Sequence, residues 1–143
     1  MKKSLFLLFV FVSLFAGDRF VRDDVKEIVT DNFSHLMWQD NSDAKSIKMS
    51  WDDSVKYCHN LTLGGYDDWR LANFNELFAL ADRSKNAPAI SMVFINVVLG
   101  DYWTSTTFAD DTSKAWAVLF YNGDDFLMDK TKSLYVRCVR DTN

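Results

Sequence analysis

The chain has 143 residues, 48% of them hydrophobic and 15% aromatic, and a formal charge of −4. That length holds one ordinary domain with a real core. The acidic balance, without any run of Lys or Arg, excludes a protein drawn in bulk to nucleic acid or an anionic membrane surface.

The chain opens with Lys2 and Lys3, then Leu5 to Phe15, apolar apart from Ser13, then Ala16 as a small residue for cleavage. This order is that of a secretory signal peptide, assigned to residues 1–16. The apolar run is shorter than the about 20 residues a bilayer span needs, so no transmembrane helix is expected after cleavage. Residues 17–143 then form one domain. Cleavage removes Lys2 and Lys3 and no acid, which takes the formal charge from −4 to −6. The expected location is the periplasm, the cell surface or the medium. In an exported chain, Cys58 and Cys138 read first as a disulfide.

Val25 to Thr30 alternates as a strand, Asp31-Asn32 signals a turn, and Ser34 to Trp38 returns as the second strand of a hairpin. Ser50 caps a helix with Asp53 close to a capping-box position. Trp51, Val55 and Cys58 share one face of it, which points Cys58 inward. Gly64-Gly65 ends that pattern. Asn73 and Glu76 form the capping box of a second helix, with Phe74, Leu77, Phe78 and Ala81 as its buried stripe. Asp82 to Ser91 is a polar loop, and Met92 to Leu99 reads equally as a short helix or a strand. Strands follow at Tyr102 to Thr106 and at Ala115 to Tyr121, the latter with Trp116, Val118 and Phe120 on one face. Asn122-Gly123 is a hairpin turn leading to Phe126 to Met128. Ser133 to Arg140 is the last strand, with Leu134, Val136 and Cys138 facing inward. One inward cysteine on a helix and one on the last strand fit a single bridge between the two ends of the domain.

Trp51, Tyr57-Cys58, Leu63-Gly64-Gly65-Tyr66-Asp67-Asp68-Trp69-Arg70-Leu71, Asn75-Glu76-Leu77, Tyr102-Trp103-Thr104-Ser105-Thr106, Ala115-Trp116-Ala117-Val118 and Tyr135-Val136-Arg137-Cys138-Val139-Arg140 occur in this order. With them the chain resembles the Lcl C-terminal domain family, named after the end domain of a bacterial collagen-like adhesin, from about Phe20 to Asp141. The resemblance implies an α+β, C-type lectin-like fold, shared with formylglycine-generating enzymes. In that fold two helices pack on a small, twisted, mixed or antiparallel β-structure, and a helix cysteine bridges to the last strand. It also implies adhesion, with sulfated glycans as the ligand class.

The residues themselves point to structural roles for most of the conspicuous side chains. Trp51, Trp69, Trp103 and Trp116 fall on core faces. Arg70 reads as a partly buried cation paired with Glu76 or Asp68, since buried charges need partners. Trp38, beside Gln39-Asp40-Asn41, is the tryptophan expected to be exposed. Asp110-Asp111, Asp124-Asp125 and Asp129 read as solvated turns. No cofactor is expected, with calcium, which takes six to eight oxygens, as the alternative. His35 and His59 lack ligand spacing, and nothing matches a phosphate loop, HExxH or CxxC. The expected function is a non-catalytic exported binding module for envelope or extracellular glycans. If it has a site, Asp110, Asp111, Lys114, Asn122, Asp124 and Asp125, in the loops between Asp82 and Asp129, are its candidate residues. An enzyme on a formylglycine-generating-enzyme-like scaffold, requiring a reactive thiol, and a self-associating envelope protein, requiring homo-oligomers, are the alternatives.

Overall fold

The computed structural model describes residues 17–143; the leader assigned to 1–16 lies outside the described residues. The elements are β1 (Phe20–Asp23), β2 (Ile28–Asp31), β3 (Leu36–Gln39), α1 (Asp43–Ser46), β4 (Lys48–Met49), α2 (Trp51–Asn60), β5 (Arg70–Leu71), α3 (Phe74–Leu80), β6 (Asp101–Thr107), β7 (Lys114–Leu119), β8 (Asp125–Asp129), β9 (Leu134–Tyr135) and β10 (Cys138–Asp141). They build an α+β domain with two five-stranded sheets, ordered β1-β2-β3-β10-β5 and β4-β9-β6-β7-β8. All pairings are antiparallel except β6 with β9, which is parallel at Tyr102 and Tyr135.

Local chemistry accounts for the helices. The Ser50 hydroxyl accepts from the Asp53 backbone N–H and starts α2, and Asn73 with Glu76 closes a full capping box on α3. The buried stripe of α2 runs through Ser54 and Cys58, with Trp51 and Leu61 half-buried beside it. Val55, expected on that face, is exposed, because the helix turns its Ser54 edge to the sheet. On α3, Leu80 joins Leu77 as a buried residue.

Several strand boundaries differ from the sequence expectation. Phe20–Asp23 is a strand, and residues 24–27 are a turn, which takes in Val25 to Glu27, expected as strand; Asp23 accepts from the Val25 and Lys26 N–H groups, and Glu27 takes a positive φ of 56°. The hairpin of β2 and β3 is present, with its turn at residues 32–35. Met92 to Leu99 is neither helix nor strand. Its apolar residues diverge, Phe94 into the core and Met92, Ile95 and Leu99 to the surface, which no regular period would produce. Ser133–Arg140 is two short strands, not one. The chain leaves the second sheet after Tyr135 and enters the first at Cys138, and Val136 and Arg137 between them are buried.

Two apolar clusters fill the interior. One gathers Val29, Trp38, Leu77, Leu80, Phe94, Tyr102 and Phe120 beneath α3. The other surrounds the Cys58–Cys138 disulfide with Ile28, Trp69, Leu71, Trp103, Leu134 and Val136. Trp38, expected at the surface, is 1% exposed. The polar residues after it do not mark a surface: Gln39 and Asp40 are buried as well, held by hydrogen bonds to the protein.

Asp40 is the polar centre of the fold. Its carboxylate accepts from Arg137 at 3.0 Å, from Arg22 at 2.9 Å, and from the N–H groups of Ile95 and Asn96. Arg137 donates in addition to the carbonyls of Gln39 and Asn96. Gln39 in turn accepts from the Cys138 N–H. The irregular segment around Phe94 is therefore pinned to both β3 and the junction of β9 and β10, its backbone groups satisfied by side chains where no ladder is available.

Candidate functional site

Asp111 accepts from the Ser113 N–H and hydroxyl and pairs with Lys114 at 3.3 Å. Asp129 accepts from the Thr131 N–H and hydroxyl in the same way. Asn122 both accepts from the Asp124 N–H and donates to its carboxylate. These are Asx-type turns, in which the Asp carboxylate or Asn amide organises its own loop. Hydrogen bonds from Ser113 hold the Asp111 carboxyl below its ordinary value, and those from Thr131 do the same for Asp129.

The six candidates fall into two groups. Asp110, Asp111 and Lys114 lie at the start of β7, where Lys114 is in register with Asp129. Asn122 and Asp124 lie beyond its far end, with Asp125 opposite Val118. β7 is six residues long, so roughly 13–20 Å of strand separates the groups, and one small ligand does not touch both. Among the described residues, no three His, Cys, Asp or Glu side chains gather as a metal-holding group.

The tryptophans and ion pairs also have definite places. Trp69 and Trp103 are buried. Trp51 is half-buried, donates to the Thr104 carbonyl and carries the Lys130 ammonium 3.9 Å over its ring. Trp116 packs against Phe74 and Phe108. Arg70 grips Glu76 with two hydrogen bonds of 2.7 Å and reaches Asp141. Asp68 instead receives Arg140. Burial pushes the Glu76 carboxyl up, but Arg70 and the Asn73 N–H outweigh it and hold the group below its ordinary 4.5. Its contribution to stability is thus present above about pH 4.5 and is lost as pH falls through the lower folded value. Glu76→Gln keeps a serviceable capping box and is expected to lose at most about 1 kcal/mol, since Arg70 is 41% exposed. The variant should show a shallower loss of stability below pH 4.5 in acid-unfolding curves; an unchanged acid limb would mean that the pair contributes nothing.

A recess of about 320 Å³ lies elsewhere, between the β2–β3 hairpin and α3. Leu36, Trp38 and Leu80 are its buried floor, and Arg19, Asn75 and Ala79 its open rim. Leu36 and Trp38 are two apart on β3 and so point to the same side. Asp31, at the end of β2, is buried and faces Arg19 through contacts of 3.0–3.3 Å. Burial raises the Asp31 carboxyl, but hydrogen bonds from Arg19, Ser34 and the Phe33 and Ser34 N–H groups prevail and lower it. The Arg19 guanidinium also lies 4.5 Å from the Phe20 ring centre and 5.6 Å from that of Phe33, which is 81% exposed. A second recess of about 310 Å³ continues past Arg19 and Ala79 to Arg83 and Ser91.

Sequence reasoning missed this cleft. Asp31 read only as a turn residue, Arg19 belongs to no motif, and Asn75 entered only through the family resemblance. The one available signal was the Leu36–Trp38 alternation, which sets both on one strand face.

The structure thus defines a small, disulfide-closed α+β domain with an open cleft beside its second long helix. Residues 27–140 match the family model of the Lcl C-terminal domain. The chain belongs to that family, and membership points to an adhesin-type module. No curated protein matches the chain. No helix among the described residues is long and apolar enough to cross a membrane.

Proposed function

We propose that the protein is an exported, non-catalytic binding module that recognises glycans at or beyond the cell envelope and serves adhesion there. The observation that carries this reading is the cleft between the hairpin and α3. An apolar floor receives the carbon face of a sugar ring, while a rim with Arg19 and Asn75 meets its hydroxyls, the usual division of labour in small-ligand sites. The exposed Phe33 ring beside Arg19 adds a stacking surface at the mouth. Family membership supports the adhesive role. A C-type lectin-like fold is the architecture we assign, supported by the bridge from α2 to β10 and by two capped helices on small twisted sheets. With both cysteines joined, the chain offers no thiol for an enzyme of the formylglycine-generating kind. A shallow site binds weakly, so adhesion through it requires several copies acting together.

The test is a glycan array probed with the oxidised protein, purified after export, with calcium and again with chelator. Binding that Ala79→Phe abolishes, by filling the cleft from the exposed face of α3, is the expected result. Binding lost instead on alanine changes at Asp110, Asp111, Asn122, Asp124 and Asp125 would move the site to the turns flanking β7. A blank array with folded protein would overturn glycan recognition.

A further inference from the structure

β8 ends the second sheet, and among the described residues its one strand partner is β7. Of the four strands that end the two sheets it is the longest, with five residues against four in β1 and two each in β4 and β5. In an antiparallel ladder alternate residues give both backbone groups to the neighbour, and the residues between turn theirs outward. Two bonds at the ends of this pairing set the phase. The Leu119 N–H donates to the Asp124 carbonyl, and the Lys130 N–H to the Ser113 carbonyl. Between them the register runs unbroken from Lys114 opposite Asp129 to Val118 opposite Asp125. Phe126 and Met128 are therefore bonded to β7. Asp125 and Leu127 turn their N–H and C=O groups to the open edge, and Asp129 its N–H, the Asp129 carbonyl being taken by the Lys132 N–H.

This edge lacks the usual steric protections. It has no proline and no bulge, and Phe126-Leu127-Met128 is an unbroken apolar run, each residue half-buried. What remains is charge, Asp125 at one end and Asp129 at the other. Asp125, Leu127 and Asp129 alternate, so their side chains share one face. It is the face of Trp116, which stands opposite Leu127 and packs against Phe74 and Phe108. An antiparallel strand centred on Leu127 sets one residue against each of the three. A second copy of β8 in that register would set carboxylate against carboxylate at both ends, which is destabilising. A strand with a cation, an apolar residue and a cation at alternate positions would instead meet both carboxylates and lay its middle side chain beside Leu127 and Trp116. Asp125 is exposed. Both Thr131 contacts of Asp129 fall on the same oxygen, which leaves the other for a cation. Lys114, across from Asp129, is turned to Asp111 at 3.3 Å. The chain's net charge of −4 also draws a basic segment in.

We propose that β8 is a docking edge for an extended basic segment of another protein, added antiparallel as a sixth strand to the five-stranded sheet. Lys or Arg lies opposite Asp125 and Asp129, and an apolar side chain opposite Leu127. The backbone supplies the affinity, and the two carboxylates select the partner and oppose self-pairing. This interaction is independent of the cleft and its ligand.

The experiment uses the full chain, expressed with its leader and purified oxidised, and the end-blocked peptide Thr-Lys-Thr-Val-Thr-Lys-Thr. The readout is residue-resolved amide hydrogen exchange. In the free protein the N–H groups of Asp125 and Leu127 should exchange much faster than those of Phe126 and Met128. Saturating peptide should slow Leu127 by about tenfold or more and leave Phe126 and Met128 unchanged. The same peptide with Glu for both Lys should have no effect. Asp125→Lys should weaken the Lys peptide by about fivefold and strengthen the Glu peptide. Leu127→Pro removes the outward N–H, a change that edge strands accept, and should abolish binding. If that variant fails to fold, the charge reversal at the exposed Asp125 decides alone. Absence of binding, binding that leaves Leu127 unprotected, or equal binding of the Glu peptide would overturn the proposal. So would protection of Leu127 in the protein alone that grows with protein concentration, since the occupant would then be a second copy.

Discussion

Asp40→Ala is expected to lower the unfolding free energy by about 3–5 kcal/mol, the usual penalty for breaking a fully buried ion pair from one side. Asp40 and Arg137 are both without solvent exposure, and Arg22 is nearly so. Removing the carboxylate leaves Arg137 as an uncompensated charge and strands the N–H groups of Ile95 and Asn96. Urea unfolding followed by tryptophan fluorescence measures the change. The double variant Asp40→Ala/Arg137→Met should lose less than the sum of the two single changes, because the stranded charge goes with its partner. A loss under about 1 kcal/mol for Asp40→Ala would show that the centre of the fold lies elsewhere. Because the same carboxylate fixes the segment around Phe94, hydrogen exchange of Ile95 and Asn96 should accelerate in the variant more than that of α2.

Cys58→Ala/Cys138→Ala should cost a similar amount for a different reason. The bridge closes a separation of 80 residues, for which the chain-entropy estimate is about 4.5 kcal/mol, with measured losses for native bridges usually about 2–5 kcal/mol. The loss is exerted mainly on the unfolded chain, so it has a signature that the Asp40 change lacks. Without the crosslink the unfolded state expands, and the slope of stability against denaturant should rise. A large loss with an unchanged slope would place the effect in the folded packing around Trp69 and Val136 instead. Thiol labelling of the native protein should find both cysteines unreactive, and a labelled Cys58 or Cys138 would reopen the enzymatic reading.

Much of this architecture was legible in the residues. The caps at Ser50 and Asn73 are encoded within four residues, so both long helices could be placed. Asn122-Gly123 and the alternation around Val118 marked the β7–β8 hairpin for the same reason. The inward direction of Cys58 and Cys138 followed from local period alone. What escaped was decided at a distance. Trp38 looked exposed because Gln39, Asp40 and Asn41 follow it, yet Asp40 is buried by partners 18 to 97 positions away. Met92 to Leu99 had the composition of a regular element but is held by that same carboxylate. The cleft draws on Arg19, Asp31, Trp38 and Asn75, four residues on four segments with no shared motif, and only the tertiary fold assembles them.

The split of the final strand has one more consequence. β10 sits between β3 and β5, and β9 between β4 and β6, so both sheets are completed from the inside by a single stretch, Leu134–Asp141. A chain growing from its N-terminus has made every other strand before Leu134 emerges, and none of that earlier material can close either sheet. Order of synthesis and order of assembly are opposed, and the half of the crosslink carried by Cys138 arrives with the same late stretch. Before that closing segment is made, β1–β3 and β6–β8 can each pair among themselves, but β5 has no neighbour in its sheet and β4 none in its own.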